Sequence, residues 1–203
     1  MEYTFLALGD SYTIGEQVQL NANFPYQTCQ LLRKKYGGQH QFFAPEIHAK
    51  TGWTTDELEA HIQQTVFLPK YDIVTLLIGV NNQYRGRSVE NYSVEFEGLI
   101  QQAIQFAGEN KQRVFVLSIP DWGVTPFAEG RDRQQIAMEI DQYNEACQNI
   151  TLSKGCCFID ITASQREDGD KSDFLTEDKL HHSGNEYSKW AKLLAEKISA
   201  TLQ

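Results

Sequence analysis

Positive charge is scarce in this chain. Its 203 residues carry 18 Lys+Arg against 27 Asp+Glu, a net charge of −9, and no basic residues gather into a stripe. That balance argues against nucleic acid or an anionic membrane as partner. No apolar run approaches the roughly 18 residues that would suggest a bilayer span. No basic segment followed by an apolar run and a small-residue cleavage site opens the chain. Cysteine is limited to Cys29, Cys147, Cys156 and Cys157, whose spacing matches neither a zinc site nor a CxxC redox pair. Three of them fall within apolar patterns and read as small core residues. A reducing, cytoplasmic setting is therefore expected, with a periplasmic or secreted one as the alternative if a leader has been removed. Five prolines and scattered glycines mark no linker, repeat or low-complexity stretch, so one domain over residues 1–203 is expected.

What is present is an alternation of two periods. Five short apolar runs read as strands: YTFLAL (3–8), HQFFAPEI (40–47), YDIVTLLI (71–78), RVFVLSI (113–119) and GCCFIDI (155–161). The third and fourth are nearly continuous in Val, Ile and Leu, as in strands covered on both faces. The second carries Pro45, which suits a sheet edge. Helical patterns separate the strands. PYQTCQLLRKKY (25–36) opens on proline, and Thr54 and Glu57 have capping-box spacing. Tyr92, Phe96, Leu99, Ala103 and Phe106 recur at three and four, as do Ile136, Ile140, Tyr143, Cys147 and Ile150. A last helix starts at Ser183 with Tyr187, Trp190, Leu194 and Ile198 inward. Strand-helix alternation of this kind predicts a three-layer α/β/α sandwich on a five-stranded parallel sheet with right-handed crossovers.

Sheets of this type carry their sites outside the carboxyl ends of the strands. The polar and glycine-rich stretches all fall there: Ser11 after the first strand, AKTGW (49–53) after the second, GVNNQYRG (79–86) after the third, PDWGVTPF (120–127) after the fourth, and LTEDKLHHS (175–183) before the last helix. A serine at the end of a strand either caps the following helix or attacks a substrate. To attack, it needs a base, and the base needs an orienting carboxylate. Of the five histidines, His61 lies within a helical pattern, His48 ends the second strand, and His181 and His182 lie on the rim. Asp178 precedes His181 by three residues, a spacing that lets one turn present both to a cleft. Ser11, Asp178 and His181 thus form a candidate triad. Oxyanion donors would be the Ser11 N–H, the Gly52 N–H and the Asn81 side-chain amide.

These stretches resemble the SGNH hydrolases, also called the GDSL esterase/lipase family. GDSYTIG (9–15) resembles the family's first block, with Tyr12 where leucine is usual. TGW (51–53) resembles the block of the oxyanion glycine, GVNN (79–82) the G-x-N-D block, and DKLHHS (178–183) the closing D-x-x-H block. The resemblance implies a flavodoxin-like strand order and a serine hydrolase that uses no metal or cofactor. It implies Ser11 as nucleophile and oxyanion donor, Gly52 and Asn81 as further donors, His181 as base and Asp178 as its partner. Asn82 stands where aspartate is common and His182 where proline is common, so an altered loop is expected at Asn82. The D-x-x-H spacing favours His181 over His182.

Trp53, Tyr84, Trp122 and Phe127 lie in or beside the rim loops and either line a substrate pocket or plug loop cores. Arg85 and Arg87 either meet an anionic group of the substrate or pair with Glu90 and Glu95 on the surface, the second reading slightly favoured. No phosphate-binding glycine fingerprint follows the first strand. No long apolar lid interrupts the chain, and the loop before the fourth helix carries Asp121, Glu129, Arg131, Asp132 and Arg133. The expectation is an esterase for short acyl or acetyl esters of small polar alcohols or sugars. The alternatives are a lysophospholipase or thioesterase acting on lipid acyl groups, and a noncatalytic carbohydrate- or lipid-binding module.

Overall fold

The structure, a computed structural model, describes residues 1–202. Among the described residues seven strands form in chain order: β1 (Glu2–Tyr3), β2 (Phe5–Gly9), β3 (Gln41–Phe42), β4 (Glu46–Ala49), β5 (Ile73–Leu77), β6 (Val114–Leu117) and β7 (Cys157–Ile159). Five of them make one parallel sheet in the order β4-β2-β5-β6-β7, which is the flavodoxin-like arrangement. Its central strands are buried along their whole length: Leu6, Leu8, Val74, Leu76, Phe115 and Val116 expose nothing. This explains their unbroken apolar composition.

The run 40–47 is not one strand. It breaks at Pro45, which has no N–H to give a ladder. Gln41–Phe42 pairs with Glu2–Tyr3 in a separate two-stranded sheet, and Glu46–Ala49 joins the main sheet at its edge.

The helices are α1 (Ser11–Ile14), α2 (Phe24–Tyr36), α3 (Thr55–Gln64), α4 (Val80–Tyr84), α5 (Val89–Phe106), α6 (Arg133–Ser153), α7 (Thr162–Asp168) and α8 (Gly184–Thr201). α2 packs on α8, and α5 packs on α3 and α6, giving a helical layer on each face of the sheet. The inner stripe of α5 is buried at Tyr92, Phe96, Leu99 and Ala103, while Phe106 is only partly covered. The Thr54 N–H donates to Glu57 at 2.9 Å, closing the capping box that starts α3. Ser183 caps α8 by accepting from Asn185 N–H. Cys29, Cys147 and Cys156 are buried and unpaired, and Cys157 is half-buried.

Candidate active site

The β2 strand ends so that a helix can begin at once. A Cβ on Gly9 would lie 2.2 Å from Thr13 Oγ1 and 2.3 Å from the Leu77 carbonyl, so only glycine lets the chain turn here. Asp10 follows as N-cap and accepts from Tyr12 N–H at 3.0 Å. Ser11 then occupies the first helical position, where a backbone N–H has no intrahelical carbonyl to reach.

Asp10 is fully buried and its Oδ2 has no partner. Burial pushes its carboxyl up to about 7, against the lowering pull of the Tyr12 N–H. In an unfolded chain it would ionise near pH 4. The folded protein therefore holds a proton that the unfolded chain releases between those pH values. Asp10 adds stability below about pH 4, and that contribution is lost as pH rises through about 7. Asparagine keeps the cap without the charge. Asp10→Asn is expected to raise the melting temperature relative to wild type more at pH 8 than at pH 5. An equal difference at both pH values would show that the carboxyl does not titrate in this window.

The histidine loop is built as an Asx turn. Asp178 Oδ1 accepts from Leu180 N–H and His181 N–H, each at 2.9 Å, and from Thr176 Oγ1 at 2.8 Å. The other oxygen accepts from His181 Nδ1 at 2.6 Å and from Gln17 Nε2 at 2.9 Å. This is the physical content of the three-residue spacing: the acid folds back over its own loop and meets the ring beyond it. Partial burial raises the Asp178 carboxyl, but the hydrogen bonds from His181, Leu180 and Thr176 outweigh it and hold it at about 2. Asp178 is ionised at neutral pH and holds the ring by Nδ1, so Nε2 is the ring nitrogen outside that pair.

Ser11, Gly52, Asn81 and His181 line one cavity of about 190 Å³. Gly52 takes φ +85°, a left-handed turn residue. Asn81 Nδ2 gives one hydrogen to the Trp53 carbonyl at 3.0 Å, which fixes the plane of the amide and leaves the second hydrogen to be used. Among the described residues no hydrogen bond joins Ser11 to His181; the two meet only across the cavity. Apart from Tyr12 and Thr51, the rest of the wall is apolar or aromatic: Val80, Tyr84, Trp122, Phe127 and Leu180. Tyr84 and Phe127 flank Trp122, at 5.2 and 6.1 Å between ring centroids. Trp122 Nε1 donates to Gln83 Oε1 at 2.7 Å and Gln83 donates to Glu139 at 2.7 Å, so the indole cannot swing freely.

Several residues fall elsewhere. Trp53 does not line the cavity; its ring lies 4.8 Å from that of His61. His61 Nε2 and His48 Nδ1 are 2.9 Å apart and His48 Nε2 meets Glu46, a network away from the cavity. His182 is buried, without a hydrogen-bond partner for either ring nitrogen, stacked 5.4 Å from Tyr12 and edge-on to Trp190 at 5.2 Å. Arg87 pairs with Asp56 and Glu95, and Arg85 with Glu57 and the Gly52 carbonyl; Glu90 is not a partner of either. Asn82 lies within α4 rather than in a loop. Its Oδ1 accepts from Thr55 N–H at 3.1 Å and its Nδ2 donates to Thr55 Oγ1 at 2.6 Å, a pair of roles that an ionised aspartate could not fill. Leu180 and Gln83 were invisible as site residues in the sequence because neither carries reactive chemistry; Leu180 lines the wall, and Gln83 acts behind it by holding Trp122. Among the described residues no group of three or more His, Cys, Asp or Glu side chains is placed to hold a metal ion. No helix among them is long and apolar enough to cross a membrane.

The model of the GDSL-like lipase/acylhydrolase family matches residues 7–199. A search of curated proteins returned no match. Solved structures share the fold at low identity. An acetylxylan esterase from Geobacillus stearothermophilus is 19% identical over 97% of this chain and 94% of its own, with a TM-score of 0.75. A lipase/acylhydrolase from Enterococcus faecalis is 20% identical over 99% and 97%, with a TM-score of 0.72. A psychrotrophic esterase from Pseudoalteromonas sp. is 17% identical over 98% of each chain, with a TM-score of 0.67.

Proposed function

Because the chain belongs to the GDSL-like lipase/acylhydrolase family, whose members are carboxylic ester hydrolases, we propose that it is a serine esterase acting through an acyl-enzyme on Ser11. The observation that carries this reading is the 2.6 Å Asp178–His181 pair on the wall of the cavity that Ser11, Gly52 and Asn81 also line. In the first half-reaction His181 Nε2 takes the proton of Ser11 Oγ as the oxygen adds to the ester carbonyl. The negative charge moves to the carbonyl oxygen, where the Ser11 N–H, the Gly52 N–H and the free hydrogen of the Asn81 amide can receive it. His181 then returns the proton to the departing alcohol. Water, deprotonated by the same ring, repeats the addition and frees the acid and Ser11. Asp178 stays ionised and stabilises the imidazolium throughout.

Cavity size bears on the substrate. An apolar cavity of about 150 Å³ takes a molecule the size of benzene, and this one measures about 190 Å³. A volume of that order matches an acyl group of a few carbons. The reading is therefore a short-chain or acetyl esterase, with a small polar alcohol or a sugar as leaving group. The apolar walls and the exposed Tyr84 and Phe127 (48% and 43%) are what would favour a lipid acyl chain instead. A panel of p-nitrophenyl esters from acetyl to palmitoyl, beside acetylated sugars and a lysophospholipid, separates the two. The highest kcat/KM is expected between acetyl and hexanoyl, and a preference for palmitoyl or lysophospholipid would overturn the short-chain reading. Turnover of none, together with resistance to a fluorophosphonate probe, would leave a noncatalytic binding module.

A further inference from the structure

The segment just after the nucleophile helix does more than leave it. Gly15 and Glu16 both donate their N–H groups to the Ser11 carbonyl, at 3.1 and 3.0 Å, so the chain turns back directly beneath Ser11. The two side chains that follow then part. Glu16 accepts from Thr51 Oγ1, on the loop that carries Gly52. Gln17 donates from Nε2 to Asp178 Oδ2 at 2.9 Å, across 161 residues of sequence. Every other hydrogen bond to Asp178 comes from its own loop, from Thr176, Leu180 and His181. Gln17 is thus, among the described residues, the one hydrogen-bonded tie between the serine segment and the acid.

Gln17 reaches Asp178 from φ +64°, the left-handed region that ordinarily belongs to glycine. The side chain is largely exposed, so packing does not explain why a glutamine stands there. Such an outlier persists when something around it over-determines it, and here the other end of the side chain is held by the triad carboxylate. Resting on the reading of Ser11, His181 and Asp178 as the reacting triad, we propose that Gln17 is a positioning residue that sets the approach of the Asp178–His181 pair to Ser11. It touches neither substrate nor the transferred proton. It acts through Asp178 Oδ2, the oxygen that also receives His181 Nδ1, and so steers the plane of the imidazole. The absence of a direct Ser11–His181 hydrogen bond makes that outside tie matter, because misplacement of a reacting group by about 1 Å can cost 10²-fold in rate.

Two variants and two readouts test this. Gln17→Leu keeps bulk and backbone strain but removes the donor. Gln17→Gly removes the donor and relieves the strain. Both are expected to lower kcat on p-nitrophenyl acetate about tenfold, the kinetic equivalent of one hydrogen bond to a charged group. KM is expected to stay within about twofold, since substrate binding is untouched. The melting temperature of Gln17→Gly should equal or exceed that of wild type. A role in holding the fold alone would lower activity and melting temperature together, and would overturn the inference. So would full kcat in Gln17→Gly or Gln17→Leu with an active wild type. A wild type that turns over no ester and resists a fluorophosphonate probe would remove the triad reading and this inference with it.

Discussion

Alanine at position 11 is expected to lower kcat on a short p-nitrophenyl ester by about 10⁵–10⁶, the loss seen when a triad serine is removed. KM should move little, and the melting temperature should hold. Ser11 is the first residue of α1, and its cap is made by Asp10 rather than by its own hydroxyl, so alanine disturbs no local hydrogen bond of the helix. The residue left behind still offers its backbone N–H, and Gly52 and Asn81 are unchanged. A residual rate of about 10³–10⁴ over uncatalysed hydrolysis is therefore expected, because oxyanion stabilisation and binding survive the loss of the nucleophile. A fluorophosphonate probe should add once to wild type, with the adduct mapped to Ser11, and not at all to the variant. Labelling of another residue in an active preparation, or undiminished kcat in Ser11→Ala, would move the nucleophile elsewhere. The contrast also separates catalysis from binding: a noncatalytic module would bind ester equally well before and after the substitution.

The parts of this molecule that were legible in advance are those with period or with fixed local spacing. The β5 and β6 runs read as buried strands because nothing in them needs water, and α5 announced itself through Tyr92, Phe96, Leu99 and Ala103. Asp178 and His181 were readable because an Asx turn binds residues three apart, wherever the loop sits. The Thr54–Glu57 capping box was equally local. What depends on chain far away could not be read. The division of 40–47 turns on Tyr3 and Glu2 offering a second edge to Gln41–Phe42. Helix α1 has four residues and is too short to show a period. Trp53 borders the oxyanion loop in sequence, yet its ring is drawn to His61 on α3, so adjacency to a site residue did not place it at the site. The role of Asn82 was hidden because Thr55, 27 residues away, supplies both an acceptor and a donor for the amide. Gln17 carries no motif at all; only the fold brings it to Asp178.

The two adjacent histidines should separate completely. His181→Ala is expected to reduce kcat by about 10⁴–10⁶ on the same ester, as loss of a triad base does. Asp178→Asn should lose about 10⁴ while keeping the fold, because an amide facing Nδ1 favours the wrong tautomer. His182 sits one residue on, but its ring is shut between Tyr12, Tyr187 and Trp190, with 1% of its surface exposed, and it does not reach the cavity. Its part is in stability. Burial, with the neighbouring His181 adding to it, pushes the His182 ring down to about 3. An unfolded chain protonates the same ring near pH 6.5. Between those values the unfolded state holds a proton that the folded state refuses, so the folded protein loses stability as pH falls from about 6.5 toward 3 and is unaffected by this group above that window. His182→Leu removes the titration and keeps an apolar side chain in the box. Its kcat at pH 8 should stay within about tenfold of wild type, as expected for a group that makes no transition-state contact, and its melting temperature should fall less steeply from pH 7 to pH 4. Loss of kcat on the scale of 10⁴ in His182→Leu, with His181→Ala still active, would exchange the two assignments. A wild-type acid limb of stability identical to that of His182→Leu would show instead that the buried ring does take up a proton in the folded state.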